Sequence, residues 1–148
     1  MGLRLAKNPW IAYIDTDNTM EGSFLSSFAE VMSAKTAECY YCKIAIRSKG
    51  ITIGKRFKYK RLKESNYIDM GAFVHSKKLY QKYGGFDENL KRFEDWDLVL
   101  NYTAHYKPVF IDKVLVDYND SQAHERISNS EKNIENADIV KRKHGFIK

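Results

Sequence analysis

The chain has 148 residues, 43% hydrophobic and 14% aromatic, which supplies one modest core and not two, and 25 basic against 19 acidic side chains leave a formal net charge of +6. Its apolar runs end after five or six residues, excluding a membrane-spanning helix of roughly 20 residues. The opening residues 1–7 hold no apolar core of signal-peptide length, and no linker, repeat or low-complexity segment interrupts the chain, so the expectation is a single cytoplasmic domain, soluble or peripheral at the inner face of the membrane.

In chain order, residues 10–14 (Trp-Ile-Ala-Tyr-Ile) are a continuous apolar run, as expected for a strand covered on both faces in an α/β protein. Residues 23–32 place Phe24, Phe28, Val31 and Met32 at helical spacing and predict an amphipathic helix. A second strand follows at 38–47. Residues 51–62 read as an irregular β-excursion and 68–75 as a short strand. Residues 77–83 read as a helix capped by Ser76 and closed by Gly84 and Gly85. Residues 94–106 form the clearest later helix: Trp96, Val99, Leu100 and Thr103 share a face, and Glu94, Asp95 and Asp97 crowd a first turn whose dipole favours negative charge. Residues 109–111 and 114–116 predict a last strand pair, and 129–143 a polar terminal helix.

Cys39 and Cys42 form a C-x-x-C, but no second pair of Cys or His completes a four-ligand zinc site. Three apart on a strand, they face opposite sides and read as reduced packing thiols. The basic excess concentrates in residues 55–63, where Lys55, Arg56, Lys58, Lys60, Arg61 and Lys63 interleave with Phe57 and Tyr59. That segment reads as a charged edge strand or solvated loop, or as a contact for an anionic acceptor or membrane surface. Nucleic-acid binding is disfavoured, because no recognised binding module accompanies it.

Two constellations carry chemistry. Asp15-Thr16-Asp17 closes the first apolar strand, and on extended backbone its two carboxylates would face the same way, beyond the sheet edge where α/β proteins bind ligands. Such a pair suits a hard divalent cation, Mn²⁺ or Mg²⁺, bridging to a diphosphate leaving group. Asp95-Trp96-Asp97 is a second D-x-D, so placement rather than pattern distinguishes the first. The other constellation is Gly84-Gly85-Phe86-Asp87-Glu88 followed by Phe93-Glu94-Asp95-Trp96-Asp97. Asp95 reads either as a helix cap or as a general base that takes a proton from an acceptor hydroxyl.

Together these pieces resemble the family-two glycosyltransferases of GT-A type. Residues 2–17 are similar to that family's helix, strand and D-x-D; Gly84-Gly85-Phe86-Asp87-Glu88 and Glu94-Asp95-Trp96-Asp97 resemble its GGFDE and ED segments; and residues 114–118 with His124 and Ser128 resemble the strand, tyrosine and His-x-x-x-Ser tail that follow. The resemblance implies an α/β, incomplete GT-A fold with a mixed central sheet flanked by helices. It divides a single domain of residues 1–148 into the end of a nucleotide- and metal-binding region (1–50), an acceptor-side region (51–128) and a C-terminal helix (129–148). It implies Asp17 as metal ligand, Asp15 at the nucleotide ribose or metal, His124 near the metal and diphosphate, Asp95 as catalytic base, Glu94 and Trp96 around the acceptor, and Gly84 and Gly85 where backbone approaches the donor sugar.

The implied activity is inverting, metal-dependent transfer from a nucleotide-diphosphate sugar, in the first place a UDP-sugar, to a glycan or lipid-linked acceptor, as in polysaccharide biosynthesis. The family's opening nucleotide-binding segment has no counterpart before residue 1, so a fragment is expected, inactive alone and homodimerising over the apolar face of residues 10–14. The alternatives are a non-catalytic binding module that keeps half the fold and a basic nucleic-acid-binding domain.

Overall fold

The structure is a computed structural model that describes residues 2–119 and 133–148; His124, Ser128 and residues 129–132 of the predicted terminal helix lie outside them. The elements are α1 (Gly2–Leu5), β1 (Trp10–Ala12), β2 (Thr19–Met20), α2 (Phe24–Ala34), β3 (Cys39–Ile46), β4 (Ile51–Ile53), α3 (Tyr59–Glu64), β5 (Phe73–Ser76), α4 (Lys77–Tyr83), α5 (Glu94–Thr103), β6 (Val109–Asp117) and α6 (Asn133–Lys143). Short 3₁₀ turns cover Arg47–Lys49 and Met70–Ala72.

Among the described residues the strands form a six-stranded mixed sheet in the order β1-β5-β3-β6-β2, with β4 also paired to β3. β3 runs parallel to β6 and antiparallel to β4 and β5, and the β1–β5 and β2–β6 pairs are antiparallel. The period-2 alternation of β3 sorts its side chains between two cores. Cys39 and Tyr41 join Leu62, Phe73, Leu79, Trp96 and Leu100 under the helices α3 to α6, whereas Tyr40, Cys42 and Ile44 meet Phe24 and Phe28 of α2. The two cysteines therefore lie on opposite faces, free and buried, with burial pushing both thiols up to about 12. Phe24 and Phe28 stack at 4.6 Å between ring centroids; each such buried side chain contributes about 1.5–3 kcal/mol.

Three expectations need correction. The first apolar run is not a strand covered on both faces: β1 is an edge strand of three residues, Ile11 alone is buried, and Trp10 and Ile14 are exposed. The doubly covered strand is β3, which has neighbours on both sides. Residues 55–63 are neither strand nor loop over their second half. Tyr59 and Leu62, three apart, turn inward to make α3, and the Trp96 indole N–H donates to the Leu62 carbonyl at 2.7 Å. The last strand pair is one continuous strand, β6, because Asp112 and Lys113 sit at exposed positions where a register irregularity against β3 absorbs them.

The predicted helix at residues 77–83 has those bounds. Gly84 closes it at φ +83°, a conformation that favours glycine, and the Tyr102 hydroxyl donates to its carbonyl at 2.7 Å. Ser76 stands at the N-cap position without a side-chain cap bond.

The C-terminal helix is held by charge. Lys143 Nζ donates to Asp97 Oδ2 at 2.8 Å and to Asp87 Oδ2 at 2.7 Å, while His144 Nε2 lies 2.9 Å from Asp97 Oδ1. Asp87 is held down to about 2 by Lys143 and Asn89. For Asp97, burial pushes the carboxyl up, but the bonds from His144 and Lys143 prevail and hold it below the usual carboxylate range. The stabilisation is thus present above the unfolded value of about 3.9 and lost as pH falls through the lower folded value. Asp97→Asn should cost about 2 kcal/mol at pH 7, because it removes the charged acceptor to which Lys143 and His144 are bonded at a buried position. Urea unfolding of parent and variant should show that gap narrowing between pH 5 and pH 3; a gap independent of pH would contradict the assignment.

Candidate functional site

Beyond β1 the chain turns at once. The Asn18 N–H donates to the Asp15 carbonyl at 3.2 Å, and Asn18 Nδ2 donates to Asp15 Oδ2 at 3.1 Å. Asp15 and Asp17 therefore occupy a turn rather than two same-facing positions of extended backbone, as Asp-Thr-Asp-Asn composition favours. Asn18 is buried, and its Oδ1 accepts from the Asn119 N–H at 3.1 Å, tying the turn to the end of β6. Two residues before Asp15, the Tyr13 hydroxyl donates to Nε2 of the buried His75 at 2.7 Å; since His75 Nδ1 lies 2.8 Å from the Ser76 carbonyl, the proton is on Nδ1. Burial lowers the His75 pKa, consistent with that neutral ring. Tyr13 also meets Phe86 edge-on at 5.8 Å, so the Asp-Thr-Asp and Gly-Gly-Phe segments touch through it.

Asp95 occupies the first turn of α5. The residue before that helix, Phe93, has φ +61°, a strained conformation for a side chain of its size, and its ring packs edge-on against Trp96 at 5.9 Å. Asn66 Nδ2 donates to Asp95 Oδ2 at 3.0 Å, and Asn66 Oδ1 accepts from the Ile68 N–H at 3.1 Å, so one side chain fixes both the loop and the carboxylate. Burial raises the Asp95 pKa; the Trp96 N–H opposes this, while the charges of Glu94 and Asp15 add to it.

A third carboxylate belongs to the site. Asp69 Oδ1 accepts from the Gly71 N–H at 2.8 Å, and burial, reinforced by the charges of Asp15 and Asp95 against the opposing Gly71 bond, pushes its carboxyl up to about 6. Asp69 and Asp95 line a cavity of about 220 Å³ with Ile44, Ile53, Tyr67 and Tyr118. The pairings of β3 with β6 and β4 place this cavity at the C-terminal end of the parallel strands, where α/β sheets hold ligands.

The remaining predicted residues fall elsewhere. Gly85 lines a separate cavity of about 810 Å³ along β1, with Leu3, Tyr13, Tyr80 and Phe86, and Gly84 ends α4 beside it. Glu94 is exposed next to Asp95. Trp96 is buried, from where it shapes the site only by clamping α3 onto α5. His124 lies outside the described residues, among which no three His, Cys, Asp or Glu side chains converge as a ligand set. Asn66 and Asp69 were missed from sequence; their one signal is a polar Asn-x-x-Asp-x-Gly loop before an apolar strand.

This mixed α/β sheet with its flanking helices is a glycosyltransferase-like fold. The chain is similar to crystal structures of TarS from S. aureus, a glycosyltransferase: to TarS 1-349 in complex with UDP at TM-score 0.64 and 15% identity, covering 95% of this chain and 47% of that one, and to full TarS at TM-score 0.65 and 12% identity, covering 93% and 28%. The chain thus spans less than half the length of these structures. No protein-family model matches the sequence, and no curated protein does.

Because Asp69 is raised in the folded state, its contribution to stability is full below the unfolded value of about 3.9 and is lost as pH rises through about 6. Asp69→Asn should therefore stabilise the chain by about 3 kcal/mol at pH 7.5 and by almost nothing at pH 4. Chemical denaturation at both pH values checks this, and an equal effect at the two would count against the carboxylate cluster.

Proposed function

We propose that the protein is a nucleotide-sugar-dependent glycosyltransferase, and the observation that carries this is the cavity lined by Asp69 and Asp95 past the C-terminal end of β3, in a fold similar to that of TarS. Asn66 holds Asp95 through Oδ2 at the wall of the cavity where an acceptor hydroxyl would enter. The raised carboxylate is a stronger proton acceptor than a solvated one. As the hydroxyl oxygen bonds to the anomeric carbon, the proton passes to Asp95, the bond from carbon to phosphate oxygen breaks, and the electron pair leaves with the nucleoside diphosphate. One base on the acceptor side gives inversion of configuration.

Two carboxylates on one turn, Asp15 and Asp17, are the number that Mg²⁺ or Mn²⁺ needs from a protein, since these ions keep water and phosphate oxygens in their shell. Asp15 and Asp17 would hold such an ion, with His124 as a further ligand, and when bound it supplies charge neutralisation to the departing diphosphate. The UDP complex of TarS supports a UDP-sugar as donor. A second copy of the chain fits the open edge of β1, where Trp10 and Ile14 are exposed. Among the described residues no helix is long and apolar enough to cross a membrane.

Two variants, each made in a version extended to the length of the TarS structures, separate the roles. Asp17→Asn should weaken Mn²⁺-dependent UDP binding by about tenfold, measured by calorimetry. Asp95→Asn should lower sugar transfer by about two to four orders of magnitude with little change in melting temperature. Loss of stability with near-normal transfer would reduce Asp95 to a helix-capping residue.

A further inference from the structure

Some cations of this protein hold carboxylate partners. Lys43 pairs with Asp112, Arg47 with Glu21 and Asp117, Lys113 with Glu30, and Lys143 with Asp87 and Asp97. In contrast, Lys55, Arg56, Lys58, Lys60 and Arg61 pair with no carboxylate among the described residues, although they are five cations within seven positions. Mutual repulsion makes such a ridge unfavourable unless an anion covers it.

This ridge is fixed to the site. Its first residue is anchored by the buried Tyr41, whose hydroxyl donates to the Lys55 carbonyl. The Lys58 N–H donates to the Tyr67 hydroxyl at 2.9 Å, and Tyr67 lines the Asp95 cavity. The turn of α3 that follows is clamped to α5 by Trp96, the neighbour of Asp95. Phe57 and Tyr59 pack inward against the core, and Tyr59 meets Phe146 edge-on, so neither ring is presented for stacking on a base. Leu62, the aliphatic residue of α3, is also fully buried, leaving the helix no apolar face to insert into a bilayer.

Resting on the glycosyltransferase reading, we propose that the acceptor is a polyanionic glycan whose charged groups lie along Lys55, Arg56, Lys58, Lys60 and Arg61 while one neutral hydroxyl enters the cavity at Asp95. The division of charge sets the orientation: phosphate or carboxylate groups are repelled by Asp15, Asp69 and Asp95 and drawn to the ridge, and only an uncharged hydroxyl approaches the base without penalty.

The test uses the whole chain, with polygalacturonate as the anionic glycan and dextran of matched length as the neutral one. The parent should bind polygalacturonate and not dextran. A variant with Lys55, Lys58, Lys60 and Arg61 changed to Gln, all surface positions, should keep its melting temperature, bind about tenfold more weakly and show a shallower salt dependence. Amide shifts on binding should run from residues 55–61 to Asn66, Tyr67 and Asp95. Equal binding of dextran, shifts that bypass Asn66 and Asp95, or tighter binding to oligothymidylate or to phosphatidylglycerol vesicles at equal charge would each overturn the proposal. Mn²⁺-dependent UDP binding, measured on the same samples, should survive in the ridge variant. Its absence from the parent would count against the donor reading alone, whereas its presence without ridge-dependent glycan binding would sink the acceptor proposal alone.

Discussion

Everything in this fold is referred to one strand. β3 accepts β5 and β4 along one edge and β6 along the other, and it is covered by α2 on one face and by α3 to α6 on the opposite face. Its parallel pairing with β6 requires a long crossover, and the chain supplies it through β4, α3, β5, α4 and α5. That crossover brings Asn66, Asp69 and Asp95 to the C-terminal end of β3. The site is a consequence of the crossover rather than of any single motif.

Carboxylates gathered in this way are costly. Burial and mutual charge raise both Asp69 and Asp95, and hydrogen bonds from Gly71, Trp96 and Asn66 offset only part of the cost. Asp69 caps the short turn Met70–Ala72 through Gly71, a role that a neutral Asn could fill without the buried charge, and the strained backbone of Phe93, two residues before Asp95, points the same way. Both features fit a region whose missing charge arrives with a ligand. The five cations at residues 55–61 meanwhile pair with no carboxylate among the described residues and run up to the cavity through Tyr67.

Much of this was legible in the sequence where a single element carried its own signal. The 3.6-residue spacing of Phe24 and Phe28, the strand-like run of residues 39–46, and the Ser76 to Gly84 bracket around α4 each named an element close to its true bounds. What failed depended on neighbours. An apolar run such as residues 10–14 has the same composition at a sheet's edge as at its centre, and only the pairing decides between them. The basic segment hid α3, since its inward face is just Tyr59 and Leu62 among six residues. Asp95 was singled out by its place at a helix start and its likeness to the ED segment, but Asn66, its partner 29 positions away, carried no local mark.

The central claim is that Asp15, Asp69 and Asp95 form one electrostatic unit held short of positive charge. Carboxyl carbon NMR of the aspartates, titrated with and without Mg²⁺ and UDP, reports it directly. Without them Asp69 should titrate near 6, and with both present it should fall back toward the ordinary value of about 4. Titration of Asp69 near 4 in both conditions would contradict the account.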